Sequence, residues 1–132
     1  YGPRSKKFVI KSTKLYLKKF DDLKIDDNIC FIKIDVEGLD HLVISGMKSY
    51  IKKHLPVILV EYNYSNFDKI YKILKKNYDC FFYDFLENKL KKLKVDEINT
   101  LKTGKILENT FKKNSVNIFF KKKNNVKYIL KL

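Results

Sequence analysis

The sequence predicts an α/β domain built around a mainly parallel sheet. Segments rich in apolar and β-branched residues alternate with segments whose apolar residues recur at helical spacing. Three strand segments separated by two helical ones make a βαβαβ pattern, which implies right-handed crossovers and a sheet covered by helices. The length of 132 residues suits one domain, and neither an internal repeat nor a Pro/Gly/Ser-rich linker divides it.

The N-terminal third of the chain supplies the first strands. Residues 8–17 alternate partly between apolar and polar and fit a strand or a strand pair. Residues 20–28 form a polar connection with the beginnings of a helix. Residues 30–38, rich in Ile, Val and Phe, then predict the first parallel strand, which stops at Gly38.

The middle of the chain predicts a helix, a strand and a second helix. Apolar residues recur at helical spacing from Leu39 to Leu55, and Pro56 marks the end of that helix. Residues 56–63 are almost continuously apolar, as parallel strands covered on both faces tend to be. A helical stripe then follows from Phe67 to Tyr78, with Ser65 or Asn66 as its N-cap.

The C-terminal part begins with a third strand at residues 79–85. Residues 86–115 are polar and Lys-rich, with a short helix near 95–102. Residues 116–122 predict a late strand that inserts antiparallel at an edge of the sheet, and residues 126–130 suggest another.

The net charge of +14 is carried almost entirely by lysine, because Arg4 is the only arginine among 29 basic residues. The abundance of Lys, Asn, Ile, Tyr and Phe, with no Ala, Gln or Trp, is typical of an A/T-rich genome. Proteins that read bases or grip phosphates usually use arginine, whose planar donors match those groups. We therefore expect no specific nucleic-acid partner and only a weak contact with anionic membranes or glycans.

The sequence contains neither a membrane-spanning run of about 20 apolar residues nor a signal peptide, so we expect a cytoplasmic protein. Cys30 and Cys80 lie in apolar strand segments without a metal-type spacing, which predicts buried thiols in a reducing compartment. The only methionine is Met47, so we expect residues 1–132 to be a processed or truncated segment.

Three carboxylates follow predicted strands at positions where an apolar residue would be ordinary. Asp35 and Glu37 follow the first parallel strand, on one strand face by the period of two, and Glu61 follows the second. Ligands of parallel sheets bind at the carboxyl ends of the strands. Such a cluster can act as a general base, ligate a metal or bind an amine. The alternative is that these carboxylates cap the next helix and accept hydrogen bonds from loop amides.

Residues 31–63, FIKIDVEGLDHLVISGMKSYIKKHLPVILVEYN, resemble the central signature of FkbM-type methyltransferases. That family shows I-K-I-D-V-E-G-x-E, a Leu/Ile-x-Gly in the next helix, then a Pro and a strand ending in Glu. The matching residues are Lys33, Ile34, Asp35, Val36, Glu37, Gly38, Ile44, Gly46, Pro56 and Glu61. The flanks LYLKKFDDL and SVNIFFKK resemble the family too, which extends the resemblance from about residue 9 to 122. Asp40 stands where the family usually has Glu.

The resemblance implies a Rossmann-like class I methyltransferase fold that uses S-adenosyl-L-methionine. The family's Gly-rich cofactor loop, D-x-G-A-x-x-G, has no counterpart among Gly2, Gly38, Gly46 and Gly104. By resemblance, the chain covers roughly strands four to seven and lacks the half that holds most of the cofactor.

The implied reaction is methyl transfer to a hydroxyl of a sugar, a glycan or a secondary metabolite. The resemblance implies that Asp35 faces both the methyl donor and the acceptor, and that Gly38 lies beside the cofactor. Glu37 would orient the acceptor or loop amides, and Glu61 would line the acceptor side of the site. No metal ligand set is implied. The isolated chain is expected to be inactive and to bind S-adenosyl-L-methionine very weakly. The alternative is a non-catalytic basic half-domain that binds anionic polymers or a complementing chain.

Overall fold

Five strands form one sheet in the computed structural model, which describes residues 13–105 and 117–123. A short 3-10 helix at Phe20–Leu23 precedes the first strand. The elements that follow are β1 (Phe31–Ile34), α1 (Asp40–Gly46), α2 (Lys48–His54), β2 (Val57–Glu61), α3 (Tyr64–Leu74), β3 (Tyr78–Asp84), β4 (Lys89–Lys92), α4 (Val95–Lys102) and β5 (Asn117–Lys122).

The strand order is β1-β2-β5-β3-β4, and the fold is mixed α/β as predicted. β1 and β2 pair in parallel, whereas β5 runs antiparallel to both of its neighbours, β2 and β3. The prediction that the late strand lies at an edge is therefore wrong. β5 is apolar on both sides, with Ile118 and Phe120 buried on one face and Phe119 partly buried on the other, which suits an interior position.

The hydrophobic core lies on one face of this sheet. Alternate strand residues, including Ile34, Ile58 and Phe120, join a single buried cluster with the apolar side chains of the helices. The helical members of that cluster are Ile44, Ile51, Phe67, Ile70, Leu74, Ile98 and Leu101, and Met47 between α1 and α2 also belongs to it. Both crossovers move in the same direction along the sheet, so α1 and α3 lie on the same face and pack together.

The predicted helix from 39 to 55 is two helices in the structure. Met47 has φ −124° and ψ 22°, which is not helical, and it separates α1 from α2. A Cβ on Gly46 would come within 3.6 Å of the Cα of Lys19. The backbone just before the 3-10 helix therefore packs against the end of α1. The N-cap of α3 is Asn63 rather than Ser65 or Asn66, and its side chain accepts a hydrogen bond from the Ser65 amide.

The structure also differs from the sequence prediction at both ends of the chain. Residues 13–17 form no strand, and the rest of the predicted strand at 8–17 lies outside the described residues. Within 86–115, the short helix near 95–102 is confirmed as α4, but β4, which pairs with β3, was not predicted. The strand suggested at 126–130 lies outside the described residues.

The two cysteines have different environments. Cys80 is buried, as predicted, and burial, with the charge of Asp79, raises its pKa to about 12. Cys30 is exposed, so the prediction of a buried thiol is wrong there: it precedes β1, at an edge of the sheet. No helix within residues 13–105 and 117–123 is long and apolar enough to span a membrane.

Asp21 caps α2 from outside that helix. Its two carboxylate oxygens accept hydrogen bonds from the backbone N–H groups of Ser49 and Tyr50, at 2.9 and 3.0 Å. Burial acts to raise the pKa of Asp21, but these hydrogen bonds outweigh it and lower the pKa below its ordinary value of 3.8. The contact attaches α2 to the segment that precedes β1.

We predict that Asp21→Ala lowers the free energy of unfolding by about 1 kcal/mol at neutral pH. Because the folded-state pKa is depressed, the carboxylate stabilises the fold above its ordinary pKa and loses this effect as the pH falls through the lower folded-state value. In urea unfolding, the difference in the free energy of unfolding between wild type and Asp21→Ala should narrow as the pH falls through the ordinary pKa of 3.8 and below it. Asp22→Ala, an exposed neighbour, is the control, and an equal, pH-independent loss in both variants would contradict the cap.

Candidate functional site

The carboxyl ends of β1 and β2 bring two of the three predicted carboxylates together. Ile34 is in register with Val60, so Asp35 and Glu61 occupy the next positions on neighbouring parallel strands. Both residues are exposed. Parallel strands end at the same edge of a sheet, which is why two residues 26 positions apart in the chain meet there.

A lysine that the sequence interpretation missed belongs to this group. The Lys33 ammonium lies 2.8 Å from Oδ2 of Asp35. The hydrogen bond and the charge of Asp35 raise the pKa of Lys33, and the charge of Glu61 raises it further. The edge therefore carries an ammonium paired with a carboxylate rather than carboxylates alone. The signal was present in the order Lys-Ile-Asp, because residues two apart share a strand face.

Glu37 lies on a turn and not on the strand. β1 ends at Ile34, and Glu37 and Gly38 have φ values of +46° and +90°. The Leu39 amide donates to the Val36 carbonyl across this turn, at 3.2 Å. The prediction that Asp35 and Glu37 share one strand face is therefore wrong, because the left-handed backbone breaks the period of two. A non-glycine residue in this conformation is uncommon and marks a constrained turn.

Capping does not account for the carboxylates after β1. Leu39 occupies the N-cap position of α1, and its apolar side chain makes no cap hydrogen bond. Asp40, in the first turn of α1, is 3% exposed, and its Oδ1 has no hydrogen-bond partner among the described residues. The first helical turn favours this negative charge through the helix dipole.

Asn66 joins the ends of the two strands. It lies in the first turn of α3, soon after β2, and is 3% exposed. Its Nδ2 donates to the carbonyl oxygen of Gly38, in the turn that follows β1. A buried amide that makes this bond holds the turn in place, since breaking it would leave both polar groups without water.

We predict that Asn66→Ala lowers the free energy of unfolding by about 1–3 kcal/mol, because the Gly38 carbonyl loses its buried donor. Hydrogen exchange of the amides at 37–39 should accelerate more than that of β3 amides. Ser65→Ala, which alters an exposed hydroxyl on the same helix, should stay within about 0.5 kcal/mol of wild type. Equal effects of the two substitutions, or unchanged exchange at the turn, would contradict the role of Asn66.

A metal site was one interpretation of the carboxylate cluster. Within the part of the chain that the structure describes, no three His, Cys, Asp or Glu side chains are grouped so that they could hold a metal ion. The Lys33 ammonium also donates to Oδ2 of Asp35, and a bound cation would need that carboxylate oxygen as a ligand. The arrangement is suited instead to accepting a proton or a hydrogen bond from a hydroxyl group.

Comparison with known proteins gives one match. A sequence model of a protein family, described as "Methyltransferase FkbM domain", matches residues 4–93. The matched range includes β1, the turn at Glu37–Gly38, and Glu61, and it ends just after β4. Searches of curated proteins and of solved structures found no match.

Proposed function

The chain belongs to the FkbM methyltransferase domain family, and from that premise we propose that it takes part in methyl transfer from S-adenosyl-L-methionine to a hydroxyl of a sugar, a glycan or a secondary metabolite. The observation that carries the proposal is the family match across Asp35, Gly38 and Glu61, which follow the parallel strands β1 and β2. A hydroxyl acceptor suits this edge, because carboxylates can both orient a hydroxyl group and remove its proton.

We assign the proton transfer to Asp35. Its Oδ2 is bonded to Lys33, which leaves Oδ1 for the hydroxyl of the acceptor. Lys33 fixes the orientation of that carboxylate, and Glu61 lines the acceptor side of the same edge. Glu37, exposed on the turn, is proposed to orient the acceptor. S-adenosyl-L-methionine supplies an electrophilic methyl group, and rate is gained mainly from an in-line approach of the acceptor oxygen.

The residues of this chain do not form a complete cofactor site. Gly38 adopts a left-handed turn beside Asp35 and permits a close approach of the backbone, but the sequence contains no Gly-rich loop of the family's type. We therefore propose that the chain is the C-terminal part of a Rossmann-like class I domain, about its fourth to seventh strands. The strand order β1-β2-β5-β3, with β5 antiparallel, supports this proposal.

Three experiments test the proposed function. Sequencing the coding region upstream of the codon for Tyr1 should show an in-frame extension of about 100 residues that carries D-x-G-A-x-x-G. The extended protein should transfer labelled methyl from S-adenosyl-L-methionine to a sugar or glycan acceptor. Calorimetric titration of the 132-residue chain should show no micromolar binding of the cofactor. A stop codon with a start near Tyr1, or tight binding by the chain alone, would contradict the proposal.

The alternative function, a basic module for anionic polymers, has weaker support in the structure. Three lysines of β4, in the hairpin formed by β3 and β4, are paired with nearby carboxylates: Lys89 with Glu87, Lys91 with Asp84, and Lys92 with Asp79. Such pairs reduce the local positive potential that a polyanion would need. Binding to heparin or RNA whose affinity falls steeply with salt would support the alternative over methyl transfer.

A further inference from the structure

The turn that joins β3 to β4 presents two adjacent apolar side chains to solvent. Residues 85–88 form this turn, and within it Phe85 is 85% exposed and Leu86 is 82% exposed. Neither belongs to the buried core, and Phe85 contacts only the edge of the Tyr83 ring among the aromatic residues, with ring centres 5.0 Å apart. Turns usually carry Gly, Pro, Asn, Asp or Ser, so two large apolar residues here serve no evident purpose in the fold.

Polar contacts beneath these side chains hold the turn in one conformation. Oδ1 of Asp84 accepts hydrogen bonds from the backbone N–H groups of Leu86 and Glu87, at 2.9 and 3.1 Å. The Lys91 ammonium lies 2.6 Å from Oδ2 of Asp84 and also pairs with Glu87. The apolar pair is therefore displayed by an ordered hairpin.

The turn lies at the same edge of the sheet as the candidate site. β2 and β3 are both antiparallel to β5, so β3 runs in the direction of β1 and β2. Phe85 and Leu86 follow the carboxyl end of β3, as Asp35 and Glu61 occupy the carboxyl ends of β1 and β2. The chain enters the sheet at β1, at the opposite side, so a preceding part of the same domain would join the sheet far from this turn.

The charges around the turn cancel. Residues 84–91 include two acids and two lysines, and Glu87 pairs with Lys89 as well as with Lys91. The net charge of +14 is therefore carried by the rest of the chain. An apolar pair above a neutral base can leave water at low cost, because no unpaired charge is desolvated with it. The basic remainder of the chain supplies long-range attraction to an anionic surface.

The size and shape of this surface fit a lipid bilayer better than a protein partner. Two side chains of this kind bury at most about 400 Å², whereas a standard protein interface buries about 800 Å² on each partner. A bilayer needs no matching shape. A few apolar side chains that enter the boundary between headgroups and acyl chains, together with basic residues near anionic lipids, are enough for reversible binding.

We propose that residues 85–88 are a membrane contact in which Phe85 and Leu86 insert into the surface of an anionic bilayer. Attraction between the basic chain and the lipid headgroups brings the protein to the surface, and the apolar pair fixes which part of it touches. Binding is weak and reversible, because only two side chains enter the lipid. The sheet edge that carries Asp35 and Glu61 then borders the membrane. The contact itself does not depend on the proposed function.

Flotation of the 132-residue chain with vesicles tests the proposal. The chain should bind vesicles of phosphatidylcholine with about one third phosphatidylglycerol, and bind vesicles of phosphatidylcholine alone much less. The double substitution Phe85→Ser/Leu86→Ser should weaken binding at least about tenfold. Val95→Ser is the matched control: Val95 is an apolar residue with 71% exposure that follows β4, at the opposite end of the hairpin, and this variant should bind like wild type.

A fluorescent reporter shows which part of the protein enters the lipid. The chain contains no tryptophan, so Phe85→Trp introduces a single one. Its emission should move to shorter wavelength when anionic vesicles are added, and lipids with brominated acyl chains should quench it. Val95→Trp, the corresponding control, should show neither effect.

Each other result decides against the proposal. A wild-type chain that does not float with anionic vesicles would overturn it. Undiminished binding by the double variant would assign the contact to lysines alone, and unchanged emission of Phe85→Trp on bound vesicles would assign it to another surface. If circular dichroism shows that the double variant is unfolded, the tryptophan reporter decides. Failure of the membrane contact leaves the methyltransferase assignment untouched, since the latter depends on the family match and the strand-end carboxylates.

Discussion

Replacing Phe120 with alanine is expected to lower the free energy of unfolding by about 3–5 kcal/mol. Phe120 has no exposed surface and lies on β5, in register with Ile58 on one side and Cys80 on the other. The substitution removes a large apolar side chain from the middle of the core and leaves a cavity that the neighbouring strands cannot close. This loss is a large fraction of the total stability that a domain of this size has.

The neighbouring phenylalanine on the same strand is the matched control. Phe119 differs from Phe120 by one position and points to the opposite face of the sheet, where it is only partly buried. In urea unfolding at low protein concentration, Phe119→Ala is expected to cost about 1 kcal/mol, because less surface leaves water on folding. Similar losses in the two variants would show that both faces of the sheet are covered, and would contradict the one-sided core.

Asp35→Asn is expected to lower the turnover number of methyl transfer by about 10²- to 10⁴-fold, which corresponds to about 3–5 kcal/mol of transition-state stabilisation. The amide has nearly the same shape but cannot accept the hydroxyl proton, and it no longer forms an ion pair with Lys33. The measurement is transfer of labelled methyl in the form of the protein that includes the Gly-rich loop. Because the change is isosteric, KM for the acceptor should change less than the turnover number.

Two further variants make that result specific. Glu37→Gln should lower turnover less than Asp35→Asn, since Glu37 lies on the turn and is proposed to orient rather than to deprotonate. Asp22→Asn changes an exposed carboxylate remote in sequence from the strand ends and should leave activity unchanged. Full turnover in Asp35→Asn would remove Asp35 as the base while leaving the family assignment in place.

The order of the strand and helical segments from β1 to β3 was predictable because it is a local property. The helical stripe through Phe67, Ile70 and Leu74 and the apolar run at β2 each identify one element from neighbouring residues alone. The motif around Asp35, Gly38 and Glu61 also lies within one short stretch of the chain, and this is why the amino-acid sequence alone indicates the family. The position of these residues at strand ends follows from the same pattern.

Several of the features that were missed depend on contacts between distant parts of the chain. β5 inserts between β2 and β3 because these two strands are not paired with each other and both offer free hydrogen-bonding edges. The apolar pattern of residues 117–122 does not indicate which strands will be its neighbours. The bond from Asn66 to Gly38 and the cap from Asp21 to α2 each join residues nearly 30 positions apart. Helix and strand periodicity records which side of an element is apolar, but not which element meets it.

The amino-acid sequence was therefore sufficient for the α/β class, the alternation of strand and helical segments from β1 to β3, the family, and the carboxylates at the ends of β1 and β2. Tertiary structure alone decided the neighbours of each strand, the bond from Asn66 to Gly38, the cap from Asp21 to α2, and the face of the sheet on which the core lies. The physical reason is that patterning is set by interactions within a few residues, whereas pairing and packing depend on which surfaces meet after the chain has closed long loops.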